Sequence, residues 1–239
     1  LHYPLRRQRQ MCIRDRTDTG ILLSKNKFQE NSTIVNFYTK NHGKCSGIIF
    51  GASSKKIKNY LQIGNELHLN YNSKSDDSFG YFKVEILKVN TPIFFSQKRS
   101  MYCINAALNL VKLLTVENQE NRSIYELVHK LFSILEKEDW YRNYIFWELD
   151  FLRLIGFDLD VKKYAKKESN GKDEFFITTN LKKIKVPNFL ISKSGDNVNN
   201  QDIIDGLNLI SEYLQTNLFL PNSINFPHQR KKFIDDFKS

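Results

Sequence analysis

The chain has 239 residues, of which 41% are hydrophobic, with 18 Phe, 11 Tyr, three Cys and a formal net charge of +10. That length fits one large or two small domains with real cores, and no apolar run approaches the ~18 to 20 residues that a bilayer span requires. The cysteines, Cys12, Cys45 and Cys103, are odd in number and far apart, which suits neither a disulfide framework nor a four-ligand zinc site; a reducing cytoplasm is expected. The basic balance points to polyanions, with nucleic acid first and an acidic protein tail or a membrane surface behind it.

The first sixteen residues, LHYPLRRQRQMCIRDR, set Arg6, Arg7, Arg9, Arg14 and Arg16 against Asp15, so they carry +4 of the charge and leave +6 on the remainder. With no apolar run they are not a secretory signal, and with no Ser before Ser24 they do not fit a mitochondrial presequence. One coding of residues 11–15 plus the first two bases of an Arg codon, ATG-TGT-ATA-AGA-GAC-AG, resembles the mosaic-end adapter of transposase-based sequencing libraries. Residues 1–16 are therefore expected to be a translated adapter, disordered and outside the functional chain. A basic nucleic-acid arm is the alternative.

From Gly20 to Lys88 short β-branched and aromatic runs alternate with polar turns: GILLSK, STIVNFYT, GKCSGIIF, NELHLNY and FGYFKVEILK. Each has strand length and composition, with turn chemistry at residues 41–43 and 72–78. SSKKIKNYLQIG, between the third and fourth, predicts a helical turn or compact loop ended by Gly64. Five strands interrupted after the third predict a small closed barrel of the OB type, with an SH3-like barrel as the competing arrangement.

Thr91-Pro92 breaks the pattern, and helical periodicity follows. Ile104, Ala107, Leu108, Val111 and Leu114 form one stripe; Ile124, Leu127, Val128, Leu131 and Leu135 form a second, with Asn121 or Ser123 as cap. Trp140, Tyr144, Trp147, Phe151 and Leu154 form a third, ended by Gly156. Short connections imply antiparallel packing. Residues 158–200 turn polar and predict irregular structure with a short hairpin around 175–178. IIDGLNLISEYLQTNLFL and HQRKKFIDDF restore the helical pattern, the latter after Pro227. The fold class is α+β: an OB-type barrel over 17–92, then a helical domain over 93–239.

Chemistry is sparse. No Gly-rich phosphate loop, HExxH, CxxC pair or nucleophile elbow is present. His2, His42, His68, His129 and His228 are scattered, and Asp76-Asp77 and Asp235-Asp236 read as solvated pairs. The expectation is a non-enzyme without cofactor or metal. Basic and aromatic residues do converge around the barrel: Lys25, Lys27, Lys40, Lys44, Lys55, Lys56 and Lys58, with Phe37, Tyr38 and Phe50 among them. OB folds track a backbone with cations and stack bases on exposed aromatics, so Tyr38 and Phe50 join the lysines as candidate DNA contacts. Strand alternation sends one of Phe37 and Tyr38 inward.

These residues resemble a known family. GILLSKNKFQENSTIVNFYTKNHGKCSGIIFGASSKK, then LQIGNELHLNY, is similar in order and spacing to the start of the RecO family of DNA repair proteins. Further matches are Asp139-Trp140, the W-E-L at residues 147–149, L-R-x-I-G-F at 152–157 and the closing LP…FPHQRKKF. The resemblance covers residues 17 to 239. It implies a recombination mediator that binds single- and double-stranded DNA, anneals complementary strands, engages the acidic tail of the single-strand-binding protein and works with RecR to load RecA. It implies a cytoplasmic, nucleoid-associated place.

Two departures stand out. Many relatives carry a zinc-ligand cysteine where this chain has Tyr164, so no zinc site is expected. The arginines that relatives place after the G-A pair are absent, and charge appears later at Lys55, Lys56 and Lys58. Lys162, Lys163, Lys166 and Lys167 are candidates for further DNA or acidic-tail contacts, with a solvated loop as the alternative. The rival function is an interaction adaptor that recognises an acidic protein tail through the helical domain, with DNA contact incidental.

Overall fold

A computed structural model describes residues 15–73, 79–168, 174–178, 182–192 and 198–238, with Glu168 by its backbone alone. Residues 1–14 of the expected adapter and residues 74–78 of the expected turn lie outside these. The chain divides into two units, one of Leu1–Pro92 with Val116–Asn121 and one of Ile93–Thr115 with Arg122–Ser239. The segment at 116–121 thus belongs with the barrel, although its place in the sequence is between two helices.

The first unit holds β1 (Arg16–Gln29), β2 (Ser32–Thr39), β3 (Gly43–Phe50), α1 (Lys55–Tyr60), β4 (Glu66–Asn72) and β5 (Tyr81–Lys88). The strands close in the order β1-β2-β3-β5-β4, and β5 joins β3 in parallel at Ile48↔Tyr81. This is the OB arrangement. Closure leaves no free edge along the barrel. Leu22, Val35, Phe37, Cys45, Ile49, Leu67, Leu69 and Phe82 fill the interior, where Phe37 meets Phe82 edge-on at 5.2 Å. Arg16, expected to end the adapter, is instead the first residue of β1, paired with Tyr71 of β4.

The second unit is built on α2 (Lys98–Leu114), α3 (Arg122–Leu135) and α4 (Trp140–Leu154). The three predicted stripes are the buried faces, except that Leu114 and Leu154 at the helix ends are half-buried. α2 begins six residues before its apolar stripe does, and Lys98 and Arg99 of its first turn bind Asp236. That carboxylate lies 2.6 Å from Lys98 and 3.0 Å from Arg99, so Asp236 is a buried ion-pair member and not a solvated acid. On α4 the rings of Tyr144 and Trp147 stack at 5.8 Å, and Trp147 Nε1 donates to the Leu127 carbonyl. Gly156, at φ +86, ends the helix: its N–H reaches the Arg153 carbonyl and that of Phe157 reaches Leu152, the Schellman pattern.

The polar region is more regular than its composition suggests. After α5 (Val161–Tyr164), β6 (Lys166–Glu168), β7 (Glu174–Thr178) and β8 (Lys183–Val186) form a three-stranded antiparallel sheet. The predicted hairpin is its β7–β8 half. α6 (Asn188–Ser192) and α7 (Asn200–Leu214) follow, α7 opened by a capping box of Asn199 and Asp202. The helix predicted to run on to 220 changes at Gln215 to a π-helical turn, Gln215–Phe219. α8 (His228–Lys238) closes the unit. Among the described residues no helix is long and apolar enough to cross a membrane.

Two residues quoted above only as pieces of family motifs form the centre of this unit. Arg230 of α8 donates to Glu148 of α4, with exposures of 0% and 1%. The guanidinium also reaches Ser211 and the Leu207 carbonyl, and Tyr144 donates to the same carboxylate oxygen. A buried carboxylate needs such donors to stay charged.

Candidate nucleic-acid interface

Three features of the barrel unit bear on ligand binding. The first is its outer face, which carries the β2 and β3 residues that alternate with the core. A bulge after Leu22 shifts the β1 register, so that Leu22 pairs with Phe37 and Ser24 with Asn36. Ser24, Asn36 and Ser46 then point outward and form a ladder: Ser24 donates to Asn36 at 2.6 Å, and Asn36 donates to Ser46. One row along, half-buried Ile34 pairs with Ile48, which meets Tyr81 of β5. At the end of β3, Phe50 is 58% exposed with its ring 5.9 Å from Tyr81. Phe50 and Tyr81, flanked by the two isoleucines, form an apolar platform suited to stacking planar bases. Sequence singled out Phe50 but not Tyr81, whose place beside it depends on the parallel closure of the barrel.

The second feature covers the far end of that face. Residues 116–121 lie along β3: Asn118 N–H donates to the Lys44 carbonyl, and Ser46 donates to Glu117 at 2.9 Å. Tyr38 donates to the Asn121 carbonyl, and Arg16 reaches Asn118 while stacking 4.5 Å over the Tyr71 ring. The fit is close at Gly43, where a Cβ would stand 1.8 Å from the Gln119 carbonyl oxygen. Its φ of +66 also favours glycine.

This strap removes two candidates. Tyr38 does point outward, yet it is 1% exposed beneath the strap and offers no ring to a base. Burial, and then the neighbouring Cys45, pushes its hydroxyl above the usual tyrosine pKa. Lys44 is 13% exposed and lies 3.6 Å from Glu117, so it is committed within the fold. Lys40 follows β2 at this same end, where Asp18 binds His42 at 2.6 Å.

The third feature is a groove of about 420 Å³ at the opposite end of β2. The bulge gives Lys25 and Lys27 the core-side parity of their partners Val35 and Thr33. Both stand beyond the barrel interior, where the β1–β2 hairpin faces α1. Lys58 of α1, Ser53, Leu61 and Glu30 complete the groove, and Glu30 is the one carboxylate among its lining residues. Lys25 Nζ donates to the Leu61 carbonyl. Burial, and after it the charge of Lys58, holds this ammonium below the ordinary lysine pKa. Lys55 and Lys56 lie exposed on α1, with Lys56 5.8 Å from the Tyr60 ring. The lysines of sequence thus separate: Lys25, Lys27 and Lys58 meet, Lys55 and Lys56 adjoin them, and Lys40 and Lys44 lie at the other end.

In the second unit Lys162 and Lys163 are exposed on α5, and Lys166 and Lys167 on β6. Lys166 and Lys185 flank Phe176 in register, and Lys183 sits 4.1 Å over the Phe176 ring. The sheet therefore adds two β8 lysines that sequence did not group with the others. Tyr164 is 53% exposed. Among the described residues no three His, Cys, Asp or Glu side chains gather as metal ligands.

An OB barrel followed by a helical unit with a small sheet inserted defines the class. The Recombination protein O N terminal model matches residues 13–90, and the Recombination protein O C terminal model matches residues 97–223. The chain belongs to the recombination protein O family. A DNA repair protein RecO of Rickettsia canadensis (strain McKiel) is 32% identical over 159 residues, 66% of this chain and 65% of that protein. That of Rickettsia felis is 32% identical over 146 residues, 61% of each. That of Rickettsia bellii (strain OSU 85-389) is 27% identical over 231 residues, 91% of this chain and 94% of that protein. The chain therefore spans just under two thirds of the first two relatives.

Proposed function

We propose that this chain is a non-catalytic recombination mediator of DNA repair. It binds single- and double-stranded DNA through the barrel, anneals complementary strands, and with RecR helps load RecA onto strands coated by the single-strand-binding protein. The observation that carries the reading is the exposed Phe50 beside Tyr81 on the outer face of an OB barrel. Stacking of a base on such a ring contributes about 1–3 kcal/mol. The family membership supports this pathway, with the cytoplasm, at the nucleoid, as the proposed place of action.

Phe50→Ala should lower single-strand affinity by about tenfold and slow the annealing of strands coated with single-strand-binding protein, with the thermal midpoint unchanged. Phe50 is exposed, so its loss leaves the core intact. Unchanged affinity and annealing would overturn the stacking assignment.

The lysines around Phe176 favour a second contact of the helical unit with the acidic tail of the single-strand-binding protein. Titration of a tail peptide with and without DNA separates this from the adaptor reading. An adaptor would bind the peptide and show no DNA affinity that Phe50→Ala weakens.

A further inference from the structure

The platform and the lysine groove are formed on opposite faces of the β1–β2–β3 strands and adjoin at the row where Ser32, which lines the groove, pairs with Phe50. Phe50, Ile34 and Ile48 alternate with the core residues of β2 and β3 and face outward. Lys25 and Lys27, turned by the bulge after Leu22, have the opposite parity and face α1. The groove is different in kind as well as in place. It offers no exposed aromatic ring; its lining combines three lysines with one carboxylate and the hydroxyls of Ser32, Thr33 and Ser53. Like charges gathered in a concave site oppose one another, and an anion seated between them relieves that opposition. Lys25 is already held by the Leu61 carbonyl, so it loses little side-chain freedom on binding.

We infer that the groove between the β1–β2 hairpin and α1 is a second nucleic-acid site, which takes the phosphodiester backbone of a strand other than the one stacked on Phe50. This rests on the reading of the barrel as a DNA-binding element. The two sites divide the recognition: the platform reads the unstacked bases of one strand, and the groove reads only charge, so it accepts single strand or duplex. The barrel then holds two strands on opposite sides of one hairpin, as an annealing protein requires.

The test counts strands on the full chain. Oligonucleotides too short to pass from platform to groove are mixed with the protein and weighed by native mass spectrometry, alongside affinity measured across a salt series. The wild-type chain should carry two strands. Lys27→Glu with Lys58→Glu should carry one, and its salt slope for duplex should fall by about 2, the worth of two phosphate contacts. Phe50→Ala should also carry one strand but keep the duplex salt slope. Lys27→Gln with Lys58→Gln, which only neutralises two exposed side chains, guards against loss of fold and should give the same strand count as the Glu pair. One strand on the wild-type chain, or an unaltered slope in both lysine pairs while Phe50→Ala weakens binding, overturns the second site and leaves the platform standing. If neither lysine pair nor Phe50→Ala alters binding, the reading of the barrel as the DNA-binding element falls with it.

Discussion

The two units arrange their polar side chains in opposite ways. In the barrel, Ser24, Asn36, Ser46 and Glu117 meet on the outer face, within reach of water along much of their length. In the helical unit, Glu148 and Arg230 meet where water cannot follow, and their partners are fixed: Tyr144, Ser211 and one helical carbonyl. A surface ladder exchanges protein for water at small cost. A buried pair tolerates no such exchange. The contrast leaves the barrel ladder open to water and ties the Glu148–Arg230 pair to the packing of α4 against α8.

The largest effect should come from breaking the buried pair. Arg230→Met leaves the Glu148 carboxylate without its cation and should destabilise the helical unit by about 3–5 kcal/mol, seen in denaturant unfolding. Adding Glu148→Met should restore much of that loss; a double variant as unstable as the single one would show that the pair is more than a local compensation.

A smaller effect should follow at the strap. Gly43→Ala meets both the left-handed φ and the Gln119 carbonyl, and should cost about 1–3 kcal/mol. Because the strap covers Tyr38, lifting it should also bring the Tyr38 hydroxyl back toward an ordinary tyrosine pKa in an ultraviolet titration. A stable variant with Tyr38 still shielded would count against the strap's close fit.

The smallest effect concerns pH. Lys98, helped by Arg99, holds the Asp236 carboxyl below the usual carboxylate range. A depressed folded pKa means that the stabilisation is complete above the unfolded value of about 4 and is lost as pH falls through the folded one. Asp236→Asn should therefore cost stability at neutral pH, matter less as pH falls below about 4, and so flatten the acid limb, which a melting series against pH will report.

What was legible in the sequence was local. Five strand-length runs with one interruption gave the barrel, and the apolar stripes gave the three long helices, because both periodicities repeat within a few residues. What was not legible depended on distance or on a single irregularity. The bulge at Leu22–Ser24 inverts the parity of β1 until a second shift between Lys27 and Gln29, so simple alternation misplaces Lys25 and Lys27. Residues 116–121, VENQEN, have the composition of an ordinary polar loop, and nothing local tells that Glu117 meets Ser46, 71 residues away. Tyr38 is hidden for that reason: alternation along β2 leaves its direction open, and its cover comes from a distant segment. Glu148 and Arg230 stand 82 residues apart, each unremarkable within its own helix.

The strap also orders events in time. Its residues are translated after α2, well after the last strand of the barrel, so a nascent chain that has just completed β5 still lacks the cover of Tyr38 and the carboxylate that meets Lys44. The outer face of the barrel is fully covered only once residue 121 has left the ribosome. That cover is therefore tied to the emergence of the first helix of the second unit, and a polypeptide cut after residue 92 is a closed barrel with Tyr38 laid bare.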